Sequence, residues 1–302
     1  MNFADRVMAA TREKKSCVVV GLDPRVDSLP AEFGLSPGKE IGDERIADAI
    51  VEFNRRVIRA VAPVAAAVKP QVAFYEQFGW HGMRAYAETI ALAHEAGLIV
   101  IGDVKRSDIG ATAEAYANAH LGKLNADAVT VNPYLGSDGI KPFTEFCKWG
   151  KGVFVLVKTS NPSSAELQDW PGGGKALYRR VGELVEEWGA AYRGECGYSA
   201  VGAVVGATFP KVAAELRQAM PHTIFLLPGY GAQGADAEAC RACFGSDGFG
   251  ALVSSSRGVI FAWKSEPWRS RYGEAKWEAA VQAAAIEMRD SLEKVRTSRP
   301  QE

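Results

Sequence analysis

Within IGDVKRSDIG, residues 101–110, two carboxylates and two cations alternate: Asp103, Lys105, Arg106 and Asp108. The apolar run Leu98–Ile101 leads directly into them. Asp103 and Lys105 are two apart, a spacing that turns both side chains to one face of a regular strand. Burying such a pair under a helix layer is unfavourable unless it is well matched. A ligand-lined interior is the better location, and a structural ion-pair network is the alternative. An ammonium beside a carboxylate stays charged, and it can stabilise developing negative charge or deliver a proton. Asp108 stands at the start of the next helix, in SDIGAT, where Ser107 or Asp108 could equally serve as an N-cap.

Two further stretches suit an anion. GYGAQG (229–234) and SSSRG (254–258) are small-residue loops following apolar runs. Glycines let backbone N–H groups approach a phosphate, and Arg257 can grip it through two parallel hydrogen bonds. A solvated surface arginine is the plain alternative. Together the loops point to a phosphorylated small molecule.

These residues need strands to carry them. Short apolar runs recur at 17–22, 65–69, 98–101, 128–131, 153–157, 201–205, 224–227 and 251–254. They are continuous rather than alternating, as in parallel strands covered on both faces. Helical patterns lie between them. Ile46, Ile50, Phe53, Val57 and Val61 fall on one helical face, as do Leu177, Val181, Leu184 and Trp188, and again Trp277, Val281, Ala284, Met288 and Leu292. Segments 111–122 and 209–220 also read as helices, and the connection between the seventh and eighth runs is the weakest helix. Eight strands alternating with helices predict an α/β fold, a single-domain (β/α)₈ barrel over residues 1–302, with a short N-terminal helix before the first strand and a frayed tail from about 294. A doubly wound open sheet is the alternative, but GLDPR after the first run is not a dinucleotide-binding turn. In a barrel the chemistry lies at the C-terminal strand ends. There the runs deliver Asp23, Lys69, Asp103 with Lys105, Asn132, the segment KTSNPSS (158–164) and the two anion-suited loops.

The bulk numbers agree with small-molecule chemistry. The 35 basic and 36 acidic residues nearly cancel, which removes any electrostatic case for nucleic acid or an anionic membrane. No apolar stretch approaches the length of a membrane span, and MNFADRVMAATREKK lacks the apolar core of an export signal, so a cytoplasmic location is expected. Five cysteines, an odd number, argue against a disulfide framework. Cys240 and Cys243, in CRAC, have redox-motif spacing but read as two half-buried thiols in a short helix. The four histidines are scattered, so no zinc site is expected.

DVKRSDIGAT (103–112) resembles the Asp-x-Lys-x-x-Asp signature of the orotidine 5′-phosphate decarboxylases. The resemblance extends along the chain through VVVGLDPR (18–25), VKPQVAFYEQFG (68–79), VLVKTSNPSS (155–164), LLPGYGAQG (226–234) and VSSSRGVIFA (253–262). The long segments 24–43 and 161–175 are similar to those of the bacterial subgroup with enlarged loops, type 2. The signature alone is shared with sugar-phosphate decarboxylases and synthases, whereas the ordered set is specific. The resemblance implies decarboxylation of orotidine 5′-phosphate to uridine 5′-phosphate without metal or organic cofactor, in a homodimer with shared active sites. By the same resemblance Lys105 protonates the pyrimidine carbon, and Asp103, Lys69 and Asp108 complete the charge array, with Asp108 reaching the partner's site. Asp23 binds ribose, with Lys69 nearby. Thr112 supplies a ribose contact to the neighbouring subunit. Ser160 reads the pyrimidine amide, and Gln233 and Arg257 hold the phosphate.

Three rivals remain from the residues. A magnesium-dependent sugar-phosphate enzyme of the same superfamily is the nearest. A Schiff-base aldolase using Lys158, in VKTS, is the second. A nucleotide-binding barrel without turnover is the third.

Overall fold

The computed structural model describes residues 1–35, 41–231 and 236–298. Eight parallel strands close a barrel in chain order: β1 (Val18–Leu22), β2 (Ala67–Pro70), β3 (Ile99–Arg106), β4 (Ala128–Val131), β5 (Gly152–Lys158), β6 (Ser199–Val205), β7 (Thr223–Leu227) and β8 (Ala251–Ser255). The ring closes where Val19 of β1 registers with Ala67 of β2 on one side and Ser254 of β8 on the other. Each apolar run became a strand because both faces are covered, the barrel interior on one side and helices on the other. β1, β6 and β7 are buried at every position. β3 and β5 run past their apolar stretches, to Arg106 and Lys158, and β3 so carries Asp103 and Lys105 to the mouth.

Helix α1 (Phe3–Lys14) lies across the starts of β4 and β5, where Arg6 pairs with Asp127 at 2.6 Å and Phe3 meets Phe154 edge-on. Helix α2 (Asp43–Val61) buries Ile50, Phe53, Val57 and Val61 of the expected stripe, with Ile46 half-buried. Phe53 stacks between Phe261 and Trp277, with centroids 5.7 and 5.2 Å away. Helices α3 (Gly79–Glu95), α4 (Gly110–Ala117) and α5 (Ser137–Thr144) follow.

One expectation about a helix face needs correction. In α6 (Leu177–Gly189) the fully buried stripe is Gly182, Val185 and Gly189, and the larger face Leu177–Val181–Leu184–Trp188 stays half-exposed. The reason is close approach: a Cβ at Gly189 would sit 2.7 Å from Ser199 Oγ, so the small residues face the barrel. After α7 (Pro210–Ala219), the chain ends in α8 (Trp277–Thr297), which buries Trp277, Val281, Ala284, Met288 and Leu292. This helix runs through Thr297, where Arg296 pairs with Glu293 at 2.8 Å and donates to the Gly248 carbonyl, and residues 299–302 of the expected tail lie outside the described residues.

The five cysteines are free thiols. Cys240 and Cys243 are buried on the short 3₁₀ turn Glu238–Cys243, and burial pushes both thiols up, Cys243 to about 12. They are inert packing groups. Among the described residues no three His, Cys, Asp or Glu side chains gather as a metal site, and no helix is long and apolar enough to cross a membrane.

Candidate active site

The end of β2 and the middle of β3 bring Lys69 and Asp103 together at 2.7 Å, both under a tenth exposed. Asp103 accepts from four side chains. Lys69 Nζ and Gln71 Nε2 (3.0 Å) donate to Oδ2, while Lys105 Nζ and Thr130 Oγ1 (2.9 Å) donate to Oδ1. Burial alone would raise this carboxyl, but the Lys69 and Lys105 ammoniums outweigh it and hold the group well below the usual carboxylate range. For Lys69, burial favours the neutral amine, yet Asp103 and then Asp23 reverse that and raise its pKa. The pair is therefore charged in both members.

Lys105 reaches the same carboxylate by an irregular route. Regular alternation would turn Asp103 and Lys105 to one face. Instead, β3 advances from Gly102 to Arg106 while β4 advances only from Val129 to Val131. Within this bulge Lys105 takes a left-handed backbone, φ +45°, uncommon for a residue with a side chain. Thr130 holds the bulge: its Oγ1 accepts from the backbone N–H groups of Val104 and Lys105, each at 3.0 Å, and donates to Asp103. Lys105 is thus aimed by a strained turn over an otherwise buried array, with its own side chain 44% exposed.

Two joined hollows open above the array, sharing Lys69, Asp103 and Pro228. The first, about 460 Å³, runs from Lys105 and Thr130 to Ser160, Asn161 and Gln168. The second, about 220 Å³, runs from the array past Asp23 to Ser254 and Arg257. Asp23 Oδ1 is buried and has no hydrogen-bond partner among the described residues, an acceptor that calls for a ligand donor. Arg257 opens a short helical turn, Arg257–Ile260, and stands exposed at the far end. Gly21 on β1 lets that loop settle, since a Cβ there would lie 1.9 Å from Ser256 Oγ. A larger hollow of about 650 Å³ lies behind Arg257, against α8, and contains no part of the charge array. From the shared array, one hollow leads to Ser160 and the other to Arg257.

Of the residues expected in the site, Lys105, Asp103, Lys69, Asp23, Ser160 and Arg257 line these joined hollows. Asp108 and Thr112 do not line them. Asp108 is not a helix cap either. α4 starts at Gly110 with Ile109 as its N-cap and no capping side chain, and among the described residues Asp108 Oδ1 accepts only from the adjacent Ile109 amide at 2.9 Å. Gln233 lies outside the described residues. Sequence reasoning missed Thr130 and Gln71. The one signal for Thr130 was a hydroxyl inside the apolar run AVTV, and Gln71 directly follows the KP that ends β2. Lys158, the Schiff-base alternative, is buried away from the hollows and paired with Asp169 at 2.5 Å.

Residues 18–260 match the model of the family described as orotidine 5′-phosphate decarboxylase / HUMPS. The chain is 47% identical over 300 residues to the orotidine 5′-phosphate decarboxylase of Rhodopirellula baltica, covering 97% of this chain and 99% of that protein. It is 39% identical over 305 residues to that of Caldicellulosiruptor bescii, covering 97% and 98%. The solved structure of Leishmania donovani OMP decarboxylase superposes with a TM-score of 0.77 at 34% identity, covering 99% of this chain and all of that one. With a charged array at the mouth of its barrel and near-complete coverage by these relatives, the chain belongs to the orotidine 5′-phosphate decarboxylase / HUMPS family.

Proposed function

We propose that this chain decarboxylates orotidine 5′-phosphate to uridine 5′-phosphate, the last step of UMP synthesis, with Lys105 protonating the ring carbon that loses carbon dioxide. The observation that carries this reading is the buried Lys69–Asp103 pair with Lys105 reaching over it, opening on a groove that ends at Arg257. Cleavage of the bond to the carboxylate leaves its electron pair on the ring carbon. The Lys105 ammonium stabilises that charge and then donates its proton to the carbon. Carbon dioxide departs, and Lys105 regains a proton from solvent. Asp103 keeps Lys69 charged and holds Lys105 in place by a hydrogen bond, and it recovers no proton itself. Asp23 takes the ribose hydroxyls, Ser160 the base amide, and Arg257 with Gln233 the phosphate. Contacts to sugar and phosphate supply binding energy remote from the reacting carbon.

A second copy of the chain completes the site in this reading, with Asp108 and Thr112 of each subunit serving its partner. Their position outside their own groove supports the arrangement. A cytoplasmic location and independence from metal and organic cofactors belong to the same proposal. The family model also spans sugar-phosphate enzymes, but the relatives at 47% and 39% identity carry the decarboxylase name.

The decisive measurement is loss of orotidine 5′-phosphate absorbance with EDTA-treated protein, with Lys105→Ala beside it. Turnover by the wild type alone is expected, while the variant still binds uridine 5′-phosphate. Normal turnover by Lys105→Ala would remove Lys105 from the reaction. Activity that appears only with magnesium and a sugar phosphate would move the chain to the other branch of its family.

A further inference from the structure

The segment after β5 contains two features that the charge array does not use. Lys158 ends the strand almost completely buried, 1% exposed. Its ammonium meets Asp169 Oδ1 at 2.5 Å, donates to Ser164 Oγ at 3.3 Å, and lies against the rings of Phe209 and Tyr178. One residue further in on each arm, Gln168 makes two hydrogen bonds to Thr159. Its Oε1 accepts from the Thr159 backbone N–H at 2.9 Å, and its Nε2 donates to Thr159 Oγ1 at 2.7 Å. The Thr159 hydroxyl in turn donates to Asn161 Oδ1 at 2.6 Å.

The result is a loop closed at its neck by two adjacent rungs, 158–169 outside and 159–168 inside. The outer rung is an ion pair with one member buried, which resists opening because a lone buried ammonium is unfavourable. The inner rung lies in the wall of the hollow itself: Thr159, Ser160, Asn161 and Gln168 all line the space shared with Lys105. Ser160 sits directly beside the inner rung, so the rung sets where Ser160 stands relative to the array. Without it, the loop would have to be ordered when substrate binds, at the expense of affinity.

We infer that Gln168 is a positioning residue for the base end of the substrate: its doubly bonded amide, seated on the Lys158–Asp169 pair, holds Ser160 and Asn161 against the pyrimidine. This rests on the placement of the base beside Ser160 made above. It concerns base recognition only, because Asp23 and Arg257 lie at the other end of the groove.

The test compares Gln168→Leu with wild type by calorimetric titration of uridine 5′-phosphate and, separately, ribose 5-phosphate, together with kcat and KM. Uridine 5′-phosphate affinity should fall about 10- to 100-fold, the range if the order held by two part-buried hydrogen bonds must be regained on binding. Ribose 5-phosphate affinity should not change, and the kinetic loss should fall mainly on KM. Thr159→Val, which removes one of the two bonds, should show a smaller loss of the same pattern, and Thr159→Ser should bind as wild type. If Gln168→Leu does not fold, Thr159→Val carries the comparison. Equal loss for both ligands would mean that Gln168 only holds the loop in the fold. Wild-type affinity for uridine 5′-phosphate in both Gln168→Leu and Thr159→Val would overturn the inference outright. Ser160→Ala separates this inference from the base placement. Loss in Gln168→Leu but not in Ser160→Ala keeps the rung and moves the base off Ser160, and the reverse keeps the base and removes the rung.

Discussion

Thr130 shows how much one hydroxyl can organise. It satisfies two backbone N–H groups of a strained bulge and one oxygen of Asp103 at once. Thr130→Val keeps the shape and removes all three bonds. Leaving buried donors unpaired costs about 1–3 kcal/mol. Because Lys105 depends on this bulge for its aim, kcat should drop about 10- to 100-fold, with uridine 5′-phosphate affinity nearly retained. Steady-state kinetics with a product titration checks this. A fall confined to binding would show that the hydroxyl serves substrate rather than Lys105.

The elements beyond the mouth have a measurable acid limit. One π-helical turn, Asn118–Lys123, buries His120 against Arg106, whose Nε donates to His120 Nε2 at 3.3 Å, with Glu76 on the far side of Arg106. Burial, aided by the Arg106 charge and opposed by Glu76, lowers the imidazole from 6.5 to about 4. The folded chain therefore keeps His120 neutral, whereas the unfolded chain protonates it below its ordinary value. Between 6.5 and about 4 the unfolded state binds more protons, so stability declines as pH falls, by up to roughly 3 kcal/mol from this group. Above that window the contribution is fully present, and below it no further loss arises here. His120→Gln retains an acceptor for Arg106 and should flatten the decline. Urea unfolding at neutral pH and near the acid end of the window measures it. Parallel curves for variant and wild type would assign the acid sensitivity to another group.

At the scale of the whole molecule, exposed apolar side chains gather beside Asp108. Ile109, Tyr134 and Leu135 are 53%, 76% and 43% exposed, beside Asp108, whose carbonyl lies over Gly139 of α5. Exposed apolar patches are candidates for association surfaces, and the proposed dimer would use this one. A two-fold dimer on this face would deliver Asp108 and Thr112 to the other subunit's groove. Mixing inactive Lys105→Ala with inactive Asp108→Ala then has a quantitative outcome. Each heterodimer rebuilds one intact site, and random exchange should return about a quarter of wild-type activity. No recovery after demonstrated subunit exchange would place Asp108 in its own subunit's site or outside catalysis.

The barrel and most of its mouth were readable from residue order. Parallel strands covered on both faces need continuous apolar runs, and eight such runs stand in this chain at spacings that leave room for helices. The polar residues that end those runs had to meet at one rim, which is why Asp23, Lys69, Asp103 and Arg257 could be named in advance. Local spacing could not supply contacts made across strands. Thr130 reaches the backbone of Val104 and Lys105 from the neighbouring strand, and nothing near it in sequence announces that task. The left-handed turn at Lys105 arises from the mismatch in advance between β3 and β4, so strand alternation predicted the right neighbours by the wrong geometry. The face of α6 was misjudged for a related reason: hydrophobicity ranks its larger side chains first, but the space beside Ser199 admits only glycine. Composition and periodicity determine which segments become strands and helices, because burial of apolar surface depends on residue type. Which side chains share a hydrogen bond is decided by register and close packing, and those exist only once the barrel has closed.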